Sequence, residues 1–254
     1  MTPHLNSTTN RFIGCCGWPE GKAKYFAHSP VVELQCTFYD LPSVQLAQKW
    51  RALAPPYFQF FMKAWQLITH NASSPTYRKL KGQINASELE EFGLFRPTEQ
   101  VVLAWERTTA IAHALEATVV LFQCPKSFLP SSENVRNLNE FFTRIGPQQF
   151  TMAWEPRGDW SCELVREICT AHTLVHCVDP FHSRSVTGGM AYWRLHGMGG
   201  YRHRYSADEL EHLRFLLIES ERQGRTPSYI LFNNVWMKDD SRRFAELLAH
   251  PQHQ

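Results

Sequence analysis

The sequence predicts a (β/α)8 barrel, a closed ring of eight parallel strands surrounded by helices. The chain has 254 residues, close to the roughly 250 that are typical of this fold. Eight short apolar runs are each followed by a turn and usually by a helical stretch, over residues 11–16, 31–38, 58–63, 118–123, 150–155, 173–178, 191–196 and 228–232. An open doubly wound sheet is the structural rival. However, no GxGxxG motif follows the first run, and eight strand–helix units fit a closed ring better.

The helices are predicted from capping residues and stop signals. Ser43 is a good N-cap for a helix that runs to about Ala54, where Pro55-Pro56 stops it. Pro97 opens a helix that runs to about Glu116. Further helices are expected over residues 131–145, 161–171, 208–223 and 239–249. The irregular stretch over residues 70–97 is long for a compact domain, which is more typical of a lid or binding loop than of a plain connection.

Composition restricts the class of protein. With 43% hydrophobic and 20% charged residues, the chain can bury a large core, and we expect one domain over residues 11–250 after a disordered lead-in over residues 1–10. The formal charge of +2 is too small to indicate a nucleic-acid partner by itself. Seven cysteines without a CxxC pair indicate reduced thiols. No run approaches the roughly 20 apolar residues of a membrane span, so we expect a cytoplasmic protein without a membrane partner.

Polar side chains stand at the downstream ends of the predicted strands. In the second strand, Glu33, Gln35 and Thr37 share one face, which makes sense if they point into a polar barrel mouth. The other strand ends supply Lys63, Gln123, Glu155, Asp179, Arg194, His196, Asn233 and Asn234. Because strand ends of one polarity meet on the same side of a barrel, these residues predict a site there. Alternatively, any one of the charged residues could serve only to form an ion pair inside the barrel. For all of them together this is less attractive, because apolar side chains would stabilise the interior more simply than many buried charges.

Candidates for proton transfer are found among these residues. Glu155 is the first choice for a general acid or base, since it leaves the fifth strand beside Arg157 and Trp160. Glu33 is the second choice, although its position further back in a strand favours an orienting or ion-pairing role. His196 could transfer protons near neutral pH, but a lone histidine is more often a structural group.

Other features suggest ligand binding. The segment from His196 through Gly197 to Tyr201 contains three glycines, which either let backbone N–H groups approach an anion or simply permit a turn. Four tryptophans directly follow strands and could stack a sugar or a nucleobase: Trp18, Trp65, Trp160 and Trp236. A cysteine nucleophile at Cys16 or Cys36 is a weaker hypothesis.

No cofactor is predicted, and a divalent metal is kept as an alternative. The nitrogen and oxygen ligands for it would be His70, His176, Asp179, Glu155 and His196. No HExxH or similarly spaced set fixes two ligands on one element.

The chain resembles the YecE-like family, domain-of-unknown-function family 72, through motifs that occur in order along almost its whole length. They are residues 13–18, 32–43, Trp50, Lys63 with residues 68–70, residues 122–128, Glu155 with Arg157 and Trp160, residues 194–197 with Tyr201 and Tyr205, and residues 232–234. The resemblance implies a TIM barrel and a shared polar mouth of Glu33, Lys63, His70, Gln123, Glu155, Arg157, Arg194, His196 and Asn233. It implies no reaction. The chain departs from the family pattern where Cys15-Cys16 replace a typical Thr-Ser.

Three hypotheses follow. In the first, an enzyme of the hydrolase or isomerase type acts on a small polar, phosphate-containing ligand. Glu155 and His196 then transfer protons and Arg157, Arg194 and Lys63 hold the anion; the remaining ligand-binding residues are His70, Gln123, Trp160, Gly197, Tyr201, Asn233 and Asn234. The second hypothesis is a nucleic-acid binding or processing protein that uses the basic residues 78–81 and 202–204. The third is a non-catalytic scaffold whose mouth is filled by its own salt bridges. The oligomeric state is left open.

Overall fold

Eight parallel strands form one sheet in the computed structural model, which describes residues 10–80 and 84–250. The strands are β1 (Arg11–Cys16), β2 (Val31–Leu34), β3 (Gln59–Lys63), β4 (Val119–Gln123), β5 (Thr151–Glu155), β6 (Val175–His176), β7 (Gly189–Leu195) and β8 (Arg225–Phe232). Apart from Asn10, the predicted lead-in lies outside the described residues.

The sheet closes on itself. Each of β1 to β5 pairs with the next strand, and β1 also pairs with β8, which pairs with β7. The last gap, between β6 and β7, is closed by a bridge between Val178 and Trp193. Two hydrogen bonds make this bridge, from Val178 N to Tyr192 O at 3.2 Å and from Arg194 N to Val178 O at 2.9 Å. The predicted TIM barrel is therefore confirmed.

Helices cover the outside of the ring. Within the described residues they are α1 (Lys22–Phe26), α2 (Cys36–Tyr39), α3 (Val44–Leu53), α4 (Gln66–Thr69), α5 (Glu99–Leu115), α6 (Ser132–Ile145), α7 (Cys162–Ala171), α8 (Ala207–Arg222) and α9 (Met237–Ala249). The side chains of Ser43, Ser131 and Ser161 each accept a backbone N–H from the third following residue, as N-caps do. Thr98 caps α5 in the same way, so this helix begins two residues after Pro97.

The second strand is shorter than its apolar pattern predicts. It ends at Leu34, and the following residues form the short helix α2. The Thr37 hydroxyl donates to Leu34 O at 2.9 Å and to Lys63 O at 2.8 Å, so it satisfies the carbonyl groups at the ends of β2 and β3. Glu33, Gln35 and Thr37 therefore do not share one face of a strand, although Gln35 still bonds to Glu33 at the mouth.

Alternation along the strands builds two layers inside the ring. The lower layer is apolar and includes Phe61, Tyr192 and Tyr229, whose rings are in contact. On five strands, the next inward-facing residue towards the C-terminal end belongs to the upper layer. These residues are Glu33, Lys63, Gln123, Glu155 and Arg194. The interior is thus closed from below by aromatic rings, and its charges lie at the C-terminal mouth.

The irregular stretch after α4 is packed rather than extended. It contains 3-10 helices over Pro75–Lys79 and Ala86–Glu91. Tyr77 O–H donates to His70 O at 2.6 Å, and Gly93 N and Phe95 N donate to Leu67 O and Ile68 O at 2.7 and 2.8 Å. Both ends of the stretch are therefore attached to α4, beside the mouth. Lys81, part of the basic loop considered for nucleic acid, lies outside the described residues.

Over the described part of the chain, none of the helices combines the length and the apolar character that a membrane crossing requires.

Candidate active site

A buried arginine lies at the centre of the charged layer. The Arg194 guanidinium has no exposed surface and makes two parallel hydrogen bonds to Glu33, from Nε at 2.8 Å and from Nη2 at 2.9 Å. Its Nη1 donates to Glu155 Oε2 at 2.5 Å and to Gln123 Oε1 at 3.1 Å. Each guanidinium nitrogen therefore has an acceptor, and one side chain ties β7 to β2, β4 and β5.

Glu33 is fully buried and receives donors on both oxygens. In addition to the bidentate Arg194, Tyr192 O–H donates to Oε2 and Gln35 Nε2 donates to Oε1. Glu33 does not line the cleft described below. Its geometry is that of an ion-pairing group that orients Arg194, the role that its place within the strand suggested.

Glu155 is held between two guanidinium groups. Arg157 Nε donates to Oε1 at 3.0 Å, while Arg194 binds Oε2. Burial acts to raise the pKa of this carboxyl group, but the positive charges of Arg194 and Arg157 outweigh it and lower the pKa to about 2. A carboxyl group that is ionised at neutral pH has no proton to donate there. The lowered pKa therefore disfavours the general-acid part of the predicted acid or base role. Since Arg157 and Arg194 occupy both oxygens, the geometry favours ion pairing over the general-base part as well.

His196 lies at the mouth with about a quarter of its side chain exposed (25%). Its Nε2 contacts Arg157 Nη2 and lies 3.3 Å from Arg194 Nη1. Because guanidinium groups can only donate, Nε2 accepts, and the ring proton belongs on Nδ1, which is 3.5 Å from Asp179 Oδ2. Asp179 also accepts the backbone N–H of His196 at 2.9 Å. A carboxylate that orients a histidine at a cleft is the arrangement that proton transfer requires.

Lys63 differs from the other charged groups of this layer. Its ammonium nitrogen lies 3.8 Å from the centre of the Phe38 ring, and no carboxylate of the described residues is within 4.0 Å of it. Burial, and then the charge of Arg194, lower the pKa of Lys63 to about 7, because Glu33 and Glu155 offset these effects only in part. A substantial fraction of Lys63 is therefore a neutral amine near pH 7.

His70 stands next to this lysine as a neutral ring. It is buried, it packs edge-on against Phe38 with ring centres 4.8 Å apart, and its Nδ1 is 2.8 Å from Thr69 Oγ1. Burial, together with the charges of Lys63 and Arg157, lowers the pKa of His70 to about 3. Since Nδ1 is bound to Thr69, Nε2 is the nitrogen that a ligand could use.

A cleft of about 450 Å³ opens above the charged layer. Its walls contain cationic, amide and aromatic side chains: Gln35, Phe38, Tyr39, Lys63, His70, Gln123, Arg157, His196, Tyr201, Asn233 and Asn234, with Cys16, Thr76, Val235 and Met237. Within the described residues no Asp or Glu is part of this lining. The volume is in the range of small-molecule sites, and the lining suits an anionic ligand. The scaffold hypothesis expected no pocket among these strand ends, so the open cleft does not favour it.

The predicted amide residues have different surroundings. Asn234 Nδ2 donates to His203 O at 2.8 Å and to Asp240 Oδ2 at 2.7 Å, so Asn234 links the loop after β7 to α9. Gln123 is bound to Arg194. For Asn233, the described part of the chain supplies no side-chain hydrogen bond, which leaves this amide to water or a ligand.

The glycine loop after β7 is stabilised from within. Gly197 has a positive φ of 84°, and a Cβ there would lie 2.4 Å from Gly200 O. Its N–H donates to Tyr205 O–H at 2.9 Å, and Gly200 N donates to Gly197 O at 3.1 Å. These bonds favour the turn interpretation over an anion-binding role for Gly197. Tyr201, which is 61% exposed, forms part of the cleft rim.

The predicted stacking tryptophans are mostly packing residues. Trp160 donates from Nε1 to Phe128 O at 2.7 Å and packs edge-on against Trp154, outside the cleft lining. Trp65 is buried, and Trp18 packs in the helical layer. Trp236 is 40% exposed, with the Arg204 guanidinium 5.0 Å from its ring centre.

The proposed metal ligands do not assemble into one site. Among residues 10–80 and 84–250, no group of three or more His, Cys, Asp or Glu side chains is arranged to hold a metal ion. His176 Nδ1 instead accepts the backbone N–H of Val186 at 3.2 Å. Cys16 lines the cleft, but burial raises the pKa of its thiol well above the usual range, so it is not a thiolate nucleophile. Cys36 is exposed, outside the cleft lining.

Several lining residues escaped the sequence analysis. Phe38 falls within the predicted second strand and Tyr39 directly after it, but both lie on α2 and reach the cleft. Thr76 belongs to the packed stretch after α4. The signal that could have revealed α2 is the Thr37 hydroxyl, because threonine can bond a carbonyl group at a strand end and redirect the chain.

Sequence comparisons place nearly the whole chain in one group. The family described as "Protein of unknown function DUF72" matches residues 12–254. The chain is 25% identical over 286 residues to UPF0759 protein YunF of Bacillus subtilis strain 168, and the match covers 93% of this chain and 94% of that protein.

Solved structures share the fold at low sequence identity. A DUF72 family protein of Enterococcus faecalis matches with a TM-score of 0.73 and 18% identity, covering 94% of this chain and 98% of that one. A DUF72 family protein of Thermotoga maritima matches with a TM-score of 0.69 and 21% identity, covering 94% of this chain and 99% of that one. Endonuclease IV of Thermus thermophilus matches with a TM-score of 0.53 and 12% identity, covering 92% of this chain and 99% of that one. These likenesses show a common TIM-barrel fold.

Replacing Arg194 with methionine should destabilise the protein strongly. The change leaves Glu33 and part of Glu155 as buried carboxylates without their partner, which costs about 3–5 kcal/mol in other proteins. We expect this loss in the free energy of unfolding, measured by urea denaturation at neutral pH. Arg214→Met, which breaks a partly exposed pair with Glu211 (2.7 Å), should cost less than about 1 kcal/mol.

The cost of Arg194→Met should also depend on pH. The wild-type contribution of Glu155 is present above its ordinary pKa of 4.5 and is lost as the pH falls through about 2. The stability difference between the two proteins should therefore narrow below pH 4.5. A cost below 1 kcal/mol, or one independent of pH, would contradict the central role of Arg194.

Proposed function

This chain belongs to the DUF72 family, and we propose that it is an enzyme of the hydrolase or isomerase type that acts on a small anionic ligand in the mouth cleft. The ligand carries a phosphate or a similar anionic group. The observation that carries the proposal is the composition of the cleft lining, which presents Lys63, Arg157 and His196 without a carboxylate among the described residues.

Arg157 is the best-placed group for holding the anion. Its side chain is 31% exposed, lines the cleft and has a carboxylate partner on Nε only. Arg194, by contrast, is completely buried and donates from all its nitrogens to Glu33, Glu155 and Gln123. We therefore assign anion binding to Arg157 and treat Arg194 as the group that positions the layer below.

Proton transfer is assigned to Lys63 and His196. Lys63 changes its charge near neutral pH, and the pKa of a general acid or base is most useful there. His196 is oriented by Asp179 and lies at the mouth, where its Nε2 contacts Arg157. Glu155 and Glu33 contribute by holding the arginines in place. Asn233 and Gln123 are the amides that could orient the ligand.

A nucleic-acid ligand is the second candidate, favoured by the rim of the cleft. Aromatic rings there stand next to basic side chains. Arg204 lies over the exposed Trp236 at 5.0 Å and Arg202 over the exposed Tyr201 at 5.8 Å, and Lys79 lies over the partly buried Tyr39 at 3.9 Å. Aromatic platforms with basic neighbours bind single strands by stacking and phosphate contacts.

Phosphate compounds should bind and turn over through the assigned residues. Inorganic phosphate should raise the melting temperature, relative to sodium chloride of equal ionic strength, because a ligand of the native state stabilises it. Arg157→Gln should lose at least about half of that stabilisation, as expected for a charge-assisted hydrogen bond. Arg144→Gln, which changes a surface arginine paired with Glu99, should keep it.

Turnover is followed by phosphorus NMR on a panel of sugar phosphates and nucleotides. Wild type should convert at least one compound, and Lys63→Met should slow that conversion by about a hundredfold or more, the size of a lost proton-transfer group. Equal rates in the two proteins would remove Lys63 from the mechanism. The absence of both phosphate stabilisation and conversion would overturn the enzyme proposal.

Stability should depend on pH through Lys63. The unfolded chain keeps the lysine protonated up to its ordinary pKa of 10.5, whereas the folded chain releases the proton near pH 7. Between these values the unfolded state binds more protons, so the free energy of unfolding rises with pH in wild type. Lys63→Met should lack this rise, about 3–5 kcal/mol in full. Urea denaturation between about pH 6 and about pH 10 measures the free energy of unfolding of both proteins. If it changed with pH in the same way in wild type and in Lys63→Met, Lys63 would not be a buried, unpaired amine.

Nucleic-acid binding is tested by fluorescence anisotropy with labelled single-stranded DNA and RNA. If the rim binds phosphates, affinity should fall steeply with salt, with a slope of about −0.7 per phosphate contact. Arg204→Gln should reduce the magnitude of that slope, and Trp236→Ala should weaken binding by about 1–3 kcal/mol through lost stacking. Absent or salt-insensitive binding would exclude this candidate.

A further inference from the structure

We propose that Lys63 forms an imine with a small aldehyde or ketone that carries an anionic group, so that the cleft takes a carbonyl compound as its ligand. The inference rests on the proposed function in one respect, since Arg157 is taken to hold the anionic group. It goes further by naming the reacting atom, Lys63 Nζ, and the chemical class of the ligand.

The placement of Lys63 is the first argument. A lysine that attacks a carbonyl carbon must reach a ligand and must not be clamped by a carboxylate. Lys63 is the last residue of β3, is only 4% exposed and yet lines the cleft. Its nitrogen faces the ring of Phe38 at 3.8 Å. A desolvated amine against an aromatic ring, at the C-terminal end of a barrel strand, has the position that this chemistry requires.

The charges below Lys63 are the second argument. The neighbouring carboxylates are already bound: Glu33 by Nε and Nη2 of Arg194, and Glu155 by Nη1 of Arg194 and by Arg157. Neither of them makes a close ion pair with Lys63. Burial is the main reason why the protonated form of Lys63 is disfavoured, and the charge of Arg194 adds to it, while Glu33 and Glu155 offset these effects only in part. A buried amine without a close carboxylate is therefore available for reaction.

The covalent step balances without a further reactant. The neutral Nζ attacks the carbonyl carbon, a C–N bond forms, and the C=O π electrons move to oxygen, which takes a proton. The nitrogen loses one proton, giving a neutral carbinolamine. Protonation of its hydroxyl breaks the C–O bond and releases water, and loss of the second nitrogen proton leaves the C=N bond. The two protons lost by nitrogen leave in the water molecule, and nothing is oxidised or reduced.

His196 is the histidine of the cleft that could carry these protons. It lines the same cleft as Lys63, and Asp179 orients its ring. His70 also lines the cleft, but with its pKa lowered to about 3 it stays a neutral ring near pH 7. An anionic substituent of the ligand would lie against Arg157, which lines the same cleft as Lys63.

Reductive trapping tests the proposal. Wild-type protein is incubated with sodium cyanoborohydride and one of three probes, pyridoxal 5′-phosphate, glyoxylate or glyceraldehyde 3-phosphate. Peptide mass spectrometry then locates the adduct and measures its rate. With at least one probe, Lys63 should be modified at least about tenfold faster than any other lysine at pH 7, since a nearly neutral amine reacts faster than protonated ones. The Lys63 rate should level off above about pH 7.

Two variants make the result specific. Lys63→Met removes the amine without placing a permanent charge in the buried layer, cannot form an imine, and should lose the fast adduct with its circular dichroism spectrum unchanged. Lys22→Arg is the matched control, because Lys22 also lies over aromatic rings, those of Trp18 and Trp50, but outside the cleft. It should trap at the wild-type rate.

The outcomes separate this inference from the proposed function. No preference for Lys63 with any of the three probes overturns the imine. If phosphate still stabilises wild type through Arg157 in that case, the anion-binding function stands without it. If neither phosphate binding nor trapping occurs, both fail.

Discussion

A buried positive charge is the constraint on which the rest of this structure depends. Arg194 has no exposed surface and lies directly above an aromatic layer that includes Tyr192. Removing a guanidinium from water costs several kcal/mol unless acceptors surround it. Glu33 and Glu155 supply those acceptors from opposite parts of the ring, and the backbone of Arg194 belongs to the bridge that closes the barrel. Neutralising this one charge therefore also fixes the positions of four strand ends.

The same constraint shapes the cleft above it. Because the two carboxylates are used below, the described lining has only cationic, amide, hydroxyl, thiol and apolar groups. Lys63 is left in the layer without a close carboxylate. Arg157 is bound in part, since Nε donates to Glu155 and Nη2 contacts His196, while its side chain lines the cleft. Structural stability and reactivity are thus connected here. An extra free carboxylate would pair with Lys63 and strengthen the layer, but it would also keep Lys63 in its charged form and repel an anionic ligand.

Much of the fold follows from simple patterns in the sequence. The apolar runs predicted all eight strands, and the serine caps predicted the starts of three helices. The pattern failed where a single side chain redirects the backbone. Residues 31–38 are apolar enough for one long strand, but Thr37 bonds the carbonyl ends of two strands, and α2 follows. That choice depends on Lys63 O, which is 26 residues away in the sequence.

The sequence by itself determined the barrel and the set of polar residues at its mouth, because strand period and strand polarity are local properties that place side chains on one face and at one end. Only the tertiary structure decided what each of them does. Whether Glu155 is free or paired, and whether Lys63 is charged, depends on distances between strands that are far apart in sequence, and electrostatic energies follow those distances and burial. The sequence thus located the site, and the packing of the ring assigned its charges.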